Sequence, residues 1–370
     1  MLKIDIKTAS RQYPVYLGQG LLRNIGKIMA RHFPPCSLMV VTDRNVSSFY
    51  AQRCLQGLKM AGYRPYLSVV KGGEGSKTLE EASFLYSRAI AAGLDRQSVI
   101  IALGGGIIGD LAGFVAATYL RGVPYVQVPT TLLAMIDSSV GGKVAVNHPQ
   151  GKNLIGAFYQ PSFVLADLKA LKTLPQREIN AGLAELIKYG VIWDYNLFRQ
   201  LESLSAGSEG KLFIHAKKPL FLKYISRAIM IKGKIVRQDE KEADLRRILN
   251  FGHTFGHALE AATGYAHYLH GEAVGCGMAM AATLACRLSI LDEVAKGRII
   301  NILKGLRIPP SPAGLKASSV LEALFLDKKR AGGDLIFILP DCIGRVIIYK
   351  APPANIINDV IKDFLQGKII

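Results

Sequence analysis

Four of the seven histidines in this 370-residue chain fall in one segment, LNFGHTFGHALEAATGYAHYLHGE, as His253, His257, His267 and His270. His253 and His257 stand four apart, so a helix presents both on one face. Imidazole nitrogens of this kind bind zinc and related divalent metals. The segment is not HExxH, because Thr254 stands where a metallopeptidase carries its glutamate, and a peptidase reading is poor. His270 lies beyond a glycine-containing break, at the start of the next helical run. One histidine from each of two adjacent helices, with a carboxylate from a third, would hold zinc and keep an open position for substrate. That carboxylate is sought in GLAELIKYG, where Glu185 sits among apolar residues with Lys188 three positions on. An unpartnered glutamate would be costly there. The bland alternative is a Glu185–Lys188 surface pair beside histidines that merely satisfy the core.

A second chemical signal lies upstream. After the β-branched run SVIIAL comes Gly104-Gly105-Gly106-Ile107-Ile108-Gly109-Asp110, which opens a helical stretch. GxGxxG between a strand and a helix lets backbone approach a pyrophosphate, while the helix end supplies N–H donors and a positive dipole end. No acidic residue ends the next strand, YVQVPTT, to take the ribose hydroxyls, so the standard Rossmann order is not expected. Asp43 and Asn45, after an earlier strand, are candidates for that contact, with a helix N-cap as the bland reading of Asp43. A second glycine turn, KGGEGSKT, offers Glu74 and Lys77 at the same sheet edge.

Other polar groups stand at non-periodic positions around these motifs: Arg121, Asp137, Lys143, Lys152, Asn153, Lys232, Glu242, Arg246, Asn250 and Lys328. Most isolated lysines are merely solvated. Several cations beside an apolar metal site would nonetheless suit a phosphate and a carboxylate.

The elements that must position these groups change character along the chain. Runs at 38–42, 65–70, 98–103, 125–128 and 163–166 read as strands, alternating with helical patterns at 46–60 and 78–92. Such alternation predicts a mostly parallel sheet with helices on its faces. From about 176 the patterns at 177–202, 219–236, 246–262, 271–290, 292–304 and 355–365 are helical, with one strand signal at 335–339. The expectation is therefore an α/β domain over 1–175 and a mainly α-helical domain over 176–370, with 203–218 as a surface connection.

Composition narrows the function classes. Half the residues are hydrophobic and 20% are charged, which argues against disorder. The cysteines Cys36, Cys54, Cys276, Cys286 and Cys342 form no CxxC pair, so a thiolate zinc site or disulfide framework is not expected and a reducing cytoplasm is. Charges interrupt the first apolar runs, so no signal peptide is expected. The charge-free stretch from Ala273 to Cys286 is too short to span a bilayer and reads as a tightly packed buried helix. The net charge is +18, but basic residues are spread evenly with no arm or aromatic-interleaved motif. That favours anionic metabolites over nucleic acid as partners.

Together the ordered blocks GGEGSKT, ALGGGIIGDLAGFVAATYLRG, VPTTLLAMIDSSVGGKVAVNH, GKNLIGAFYQP, GLAELIKYG, LNFGHTFGHALE and LHGEAVGCGM resemble the 3-dehydroquinate synthase family, from about residue 38 to 345. The resemblance implies an NAD-binding N-terminal domain, a helical metal-binding C-terminal domain like that of the glycerol dehydrogenase group, and a homodimer. It implies Glu185, His253 and His270 as ligands of Zn2+ or Co2+, with His257 beside the metal. NAD contacts carried over are Asp43, Asn45, Gly72, Gly73, Glu74, Gly75, Ser76, Lys77, Gly106, Ile107, Ile108, Gly109, Asp110, Thr130, Thr131, Lys143 and Lys152. Ala170, Leu171, Lys172 and Thr173 fit a family nucleotide contact loosely. Asp137, Lys143, Lys188, Asn250 and His257 are the implied catalytic residues; Asn153, Lys232, Arg246 and Lys328 contact substrate, and Arg121 reaches the partner subunit's substrate phosphate. The implied reaction converts 3-deoxy-D-arabino-heptulosonate 7-phosphate to 3-dehydroquinate and phosphate, with transient oxidation by NAD, elimination, re-reduction and aldol closure. Rival readings are a sugar-phosphate cyclase acting on a carboxylate-free substrate, a metal-dependent alcohol dehydrogenase that releases NADH, and a basic nucleic-acid-binding protein.

Overall fold

The structure is a computed structural model that describes residues 1–207, 221–331 and 335–370, the side chains of 327–331 excepted. The chain divides into two compact units. The first comprises Met1–Leu174 with Lys232–Lys241, and the second Pro175–Ile231 with Glu242–Ile370. The expected single cut near residue 175 therefore misses one stretch. The carboxyl-terminal part of the helix Leu222–Gln238 groups with the first unit, where Lys232 bonds Asp137 and Glu240 accepts hydrogen bonds from Ser10 and Gln160.

The first unit is built on a seven-stranded sheet. Its strands are β1 (Leu2–Lys7), β2 (Gln12–Gly18), β3 (Ser37–Asp43), β4 (Arg64–Val70), β5 (Val99–Gly104), β6 (Tyr125–Pro129) and β9 (Phe163–Asp167), in the order β1-β2-β9-β6-β5-β3-β4. Only the β1–β2 pair is antiparallel. β5, β6 and β9 are buried throughout, which is why they read as largely apolar runs without the in–out alternation of a half-buried strand. A separate hairpin, β7 (Lys143–His148) with β8 (Gly151–Phe158), lies against the glycine-rich helix Gly106–Thr118. That approach depends on Gly113, where a Cβ would collide with Val144.

Within the parallel part, β3 has β4 on one side and β5 on the other. The chain reverses its direction of travel there, and the crevice above such a switch point is where open α/β sheets bind ligands. Asp43 and the triple glycine end the two strands that flank it. The order follows the flavodoxin-like scheme rather than the standard Rossmann one.

The second unit is mainly helical, with one antiparallel pair, β10 (Ile336–Cys342) and β11 (Arg345–Lys350). The expected helix 177–202 is two helices, Gln176–Ile192 and Tyr195–Ala206, because Asp194 breaks the run and caps the second through Leu197 N–H. The expected helix 246–262 begins only at His253. Leu245–Asn250 is a 3-10 turn, and Gly252 in the left-handed region (φ 80) redirects the chain. Residues 203–206 end a helix rather than a surface connection, and 208–220 lie outside the described residues. The helix Ala317–Ala331 and the strand β11 have no counterpart in the sequence reading. His270–Arg287 is the buried helix expected of the Ala273 to Cys286 stretch. Among the described residues no helix is long and apolar enough to cross a membrane.

Small residues let the helices of this unit meet backbone to backbone. A Cβ on Gly277 would overlap the Gly252 carbonyl oxygen, one on Gly271 the Ala181 carbonyl oxygen, and one on Gly256 would stand 3.0 Å from the Ala273 carbonyl oxygen. Backbone cannot move aside as a side-chain tip can. Gly277→Ala is expected to destabilise the protein by about 3 kcal/mol, the upper end for overpacking. A urea transition with an unchanged midpoint would contradict that contact.

Candidate functional site

In the second unit, the helix Gln176–Ile192 carries Glu185 inward at 0% exposure. Lys188, one turn on and 1% exposed, forms an ion pair with it. The pair exists, but as a core feature rather than the surface pair of the bland reading. Apart from that ion pair, neither Glu185 oxygen has a hydrogen-bond partner among the described residues. His253 Nε2 stands 3.6 Å and His270 Nε2 3.8 Å from Glu185 Oε1. One ligand atom from each of Glu185, His253 and His270 falls within 4.8 Å of the others.

The tautomers suit a cation. His253 Nδ1 lies 3.2 Å from the Phe251 carbonyl, which leaves Nε2 turned toward Glu185. Burial, reinforced by Lys188 and the two neighbouring histidines, lowers the His253 pKa well below its usual value. The ring is thus neutral and keeps a lone pair for a metal. His270 Nδ1 lies 3.4 Å from Glu260 Oε2, in the manner of a carboxylate that orients a ligating imidazole. Glu260 is a residue the sequence reading missed, although its place three after His257 in GHALE puts it on the same helix face. The His257 ring centroid is 5.5 Å from that of His253 and 5.9 Å from that of His270. A fully buried carboxylate with one lysine and two aimed imidazoles fits a divalent metal, and the donor set of oxygen and nitrogen suits Zn2+ or Co2+.

Nearby in the same unit, Asn250 Nδ2 donates to Glu242 Oε1 at 3.0 Å, and Arg246 is 2% exposed. The side chain of Lys328 lies outside the described residues.

In the first unit, the carboxyl ends of the parallel strands share one sheet edge and gather most of the expected cofactor residues. Asp43 Oδ1 accepts from Val46 N–H at 3.0 Å, so it is the cap of the turn that carries Asn45. Gly72 (φ 86) would bring a Cβ to 3.0 Å from Asp43 Cβ, which places the second glycine turn over the end of β3. Ser76 closes that turn through Gly73 O. No side chain caps the helix Gly106–Thr118, so its first-turn N–H groups remain available to an anion. Gly109 serves packing, since a Cβ there would stand 2.6 Å from Gln127 Oε1. At the end of β6, Thr130 Oγ1 is buried without a hydrogen-bond partner among the described residues, and Thr131 Oγ1 accepts from Ala134 N–H. A row of backbone donors and an unsatisfied hydroxyl fits a dinucleotide.

Lys77, 4% exposed, ties these parts together by donating to Asp110 Oδ2 and to Asn153 Oδ1. Asn153 holds φ 56 and donates its N–H to Asn147 Oδ1, while Asn147 Nδ2 donates to Glu74 Oε1 at 2.8 Å. Asn147, in VAVNH on β7, is the second residue missed; only its place between two expected lysines singles it out. Lys143 and Lys152 stand on β7 and β8, the former exposed. Lys232 Nζ donates to both Asp137 Oδ1 and Asp137 O at 2.7 Å. Arg121 projects outward from a turn in which it and Leu120 both have positive φ (67 and 50). Ala170 and Leu171 are buried, and Tyr50 O–H bonds both Ala170 O and Thr173 Oγ1.

Comparison with known proteins adds to the geometry. Family models described as 3-dehydroquinate synthase N-terminal and C-terminal match residues 67–181 and 182–330. The 3-dehydroquinate synthase of Desulforamulus reducens is 47% identical over 348 residues, covering 94% of this chain and 96% of its own. Among solved structures, 2-deoxy-scyllo-inosose synthase complexed with carbaglucose-6-phosphate, NAD+ and Co2+ is 28% identical, with TM-score 0.87 over 98% of this chain and 99% of its own. The 2-epi-5-epi-valiolone synthase of Streptomyces hygroscopicus, with NAD+ and Zn2+ bound, is 28% identical, with TM-score 0.86 over 96% and 97%. A probable glycerol dehydrogenase from Sinorhizobium meliloti, 16% identical, shares the fold, with TM-score 0.65 over 96% of each chain.

Burial raises the Asp110 carboxyl above its usual pKa even though Lys77 pulls the other way. Because the folded pKa exceeds the unfolded one, ionised Asp110 costs stability, a cost that grows as pH rises from the unfolded value to the folded one. Lys77→Met removes the compensating charge and should cost about 3 kcal/mol at neutral pH, the low end for a broken buried pair, since a fifth of the Asp110 side chain meets solvent. The deficit should shrink as pH falls through the raised Asp110 pKa. Urea melts from pH 4 to 8 check this, and a deficit independent of pH would contradict it.

Proposed function

The chain belongs to the 3-dehydroquinate synthase family, and from that premise we propose that it converts 3-deoxy-D-arabino-heptulosonate 7-phosphate to 3-dehydroquinate and phosphate. The observation that carries the reading is the buried Glu185 with His253 and His270 aimed at it, in a chain that also holds an uncapped glycine-rich helix end. When bound, NAD supplies a hydride acceptor that is restored within the cycle, and Zn2+ or Co2+ supplies a Lewis acid for the substrate hydroxyls.

The chain's own residues do the rest. Glu185, His253 and His270 hold the metal, while Glu260 fixes the His270 ring. The first-turn amides from Gly106 and the hydroxyl of Thr130 receive the dinucleotide. Asp43, Asn45 and the Gly72–Lys77 turn would contact its ribose, and Lys143 and Lys152 its charged groups. Asp137, Lys188, Asn250 and His257 serve the reacting carbons, with His257 and Lys188 placed to move or steady protons beside the metal. Lys232, Arg246, Asn153 and Lys328 bind phosphate and carboxylate, and Arg121 reaches the substrate phosphate of a second subunit in a cytoplasmic homodimer. Fixing both anionic ends of the substrate while its ring opens and recloses gives an intramolecular closure a large entropic advantage.

Two solved neighbours at 28% identity are named as synthases of other products, 2-deoxy-scyllo-inosose and 2-epi-5-epi-valiolone, which keeps one rival specific. A substrate without a carboxylate would leave the cations Lys232, Arg246 and Lys328 with less to bind. Purified protein with heptulosonate phosphate, NAD and zinc or cobalt should release phosphate without accumulating NADH, and a chelator should stop it. Steady NADH production would favour an alcohol dehydrogenase, and turnover of glucose 6-phosphate in place of heptulosonate phosphate would favour the rival cyclase. His270→Ala should lose bound metal and turnover while both units stay folded, with metal content by elemental analysis as the check.

A further inference from the structure

One ion pair joins the first turns of the helices that carry Glu185 and His270. Arg177, in the first turn of Gln176–Ile192, donates from Nε to Glu272 Oε1 at 2.7 Å and from Nη2 to Glu272 Oε2 at 2.8 Å. Glu272 lies in the first turn of His270–Arg287 and is 3% exposed. Its Oε2 also accepts the Leu269 N–H at 2.8 Å, which closes the helix cap on the residue just before His270. Arg177 Nη2 further reaches the His267 carbonyl at 2.6 Å, and His267 Nε2 lies 2.9 Å from the Pro310 carbonyl. Four hydrogen bonds from two side chains thus fix the turn that delivers His270.

We propose that Arg177 and Glu272 are positioning residues that set the register between the two ligand helices and so aim His270 at Glu185; this rests on the metal reading given above. His270 is the first residue of its helix, where fraying is greatest, and its side chain is 39% exposed, so little packing holds it. The next residue, Gly271, lies in backbone contact with the Glu185 helix at Ala181. A slip at the first turn therefore moves His270 directly against Glu185. The planar fork of an arginine fixes both distance and angle, which a lysine point charge does not. Glu272 in turn needs a cation, because it is buried.

Arg177→Lys separates register from charge: it keeps the positive partner of Glu272 but removes the fork and the bond to His267. Glu272→Gln keeps an acceptor for Leu269 N–H and loses the charge. Both are tested as full-length protein by Co2+ titration, with the visible d–d bands as a report of ligand geometry. Wild type should take up one equivalent. Each variant should bind Co2+ about tenfold or more weakly, the usual effect of losing an outer-shell partner, with altered band positions. The metal-free urea midpoint of Arg177→Lys should stay near wild type. Wild-type affinity and spectrum in both variants would overturn the proposal, as would weakened binding matched by an equal loss of metal-free stability in both. Failure of the wild type itself to bind Co2+ would instead overturn the metal reading.

Discussion

The second unit is arranged around the cost of burying one negative charge. Glu185 has no exposure, and beyond the Lys188 ion pair its oxygens have no hydrogen-bond partner among the described residues. A carboxylate in that position persists only if cations surround it. Lys188 is one, and the geometry of the two histidines provides for another. That requirement explains why His253 must be neutral, since a second fixed positive ring beside Lys188 would repel the incoming metal. It also explains the glycines. Ligands drawn from three helices converge within 4.8 Å only if the helix axes come closer than ordinary side chains allow. Gly252, Gly256, Gly271 and Gly277 make that approach.

The first unit meets a different constraint with similar means. A dinucleotide pyrophosphate needs backbone donors at a helix end, and donors left uncapped for a ligand are a standing cost. Glycines thin the helix at its start and against Gln127, and the switch between β4 and β5 on either side of β3 opens the crevice. Around it, Lys77, Asp110, Asn147 and Asn153 form a connected network, so the hairpin β7–β8 is fixed to the glycine turn rather than left as a loose flap. Asn153 holds a left-handed conformation to join it, a strain that a functional position tolerates.

What the sequence made legible follows from burial. β3, β5, β6 and β9 are mostly buried and rich in apolar residues, so they stand out as runs, and the histidine helices stand out by spacing. β1 does not, because LKIDIK alternates charge with isoleucine on an exposed edge, and β7–β8 reads as a string of polar site residues. The break at Asp194 is local capping chemistry inside an otherwise continuous helical pattern. Glu185, His253 and His270 could be proposed from residue type alone, but choosing them over His257 and His267 needed the family blocks. The distances now give a physical reason for part of that choice: His267 is turned to the Pro310 carbonyl, and His253 and His270 both face Glu185. Asn147 escaped because a residue that only orients another leaves no spacing signal of its own, and Glu260 because a glutamate three residues from another polar group is ordinary on any helix face.

Three acid–lysine pairs recur among the expected site residues: Glu185 with Lys188, Asp110 with Lys77, and Asp137 with Lys232. Their repetition has a physical reason. A site built for a sugar acid with two anionic groups needs cations, and burying an ammonium this deeply (1%, 4% and 5% exposed) is costly without a carboxylate nearby. Each acid balances the charge of its lysine. Arginine would be held more rigidly in a fork, whereas an ammonium on a four-carbon stem can turn from its carboxylate to a phosphate oxygen at little geometric cost. One arginine pair, Arg177 with Glu272, stands instead at the turn that carries His270. An ammonium that can change partners suits a site that must take up an anion, and a guanidinium fork suits a turn that must hold its shape.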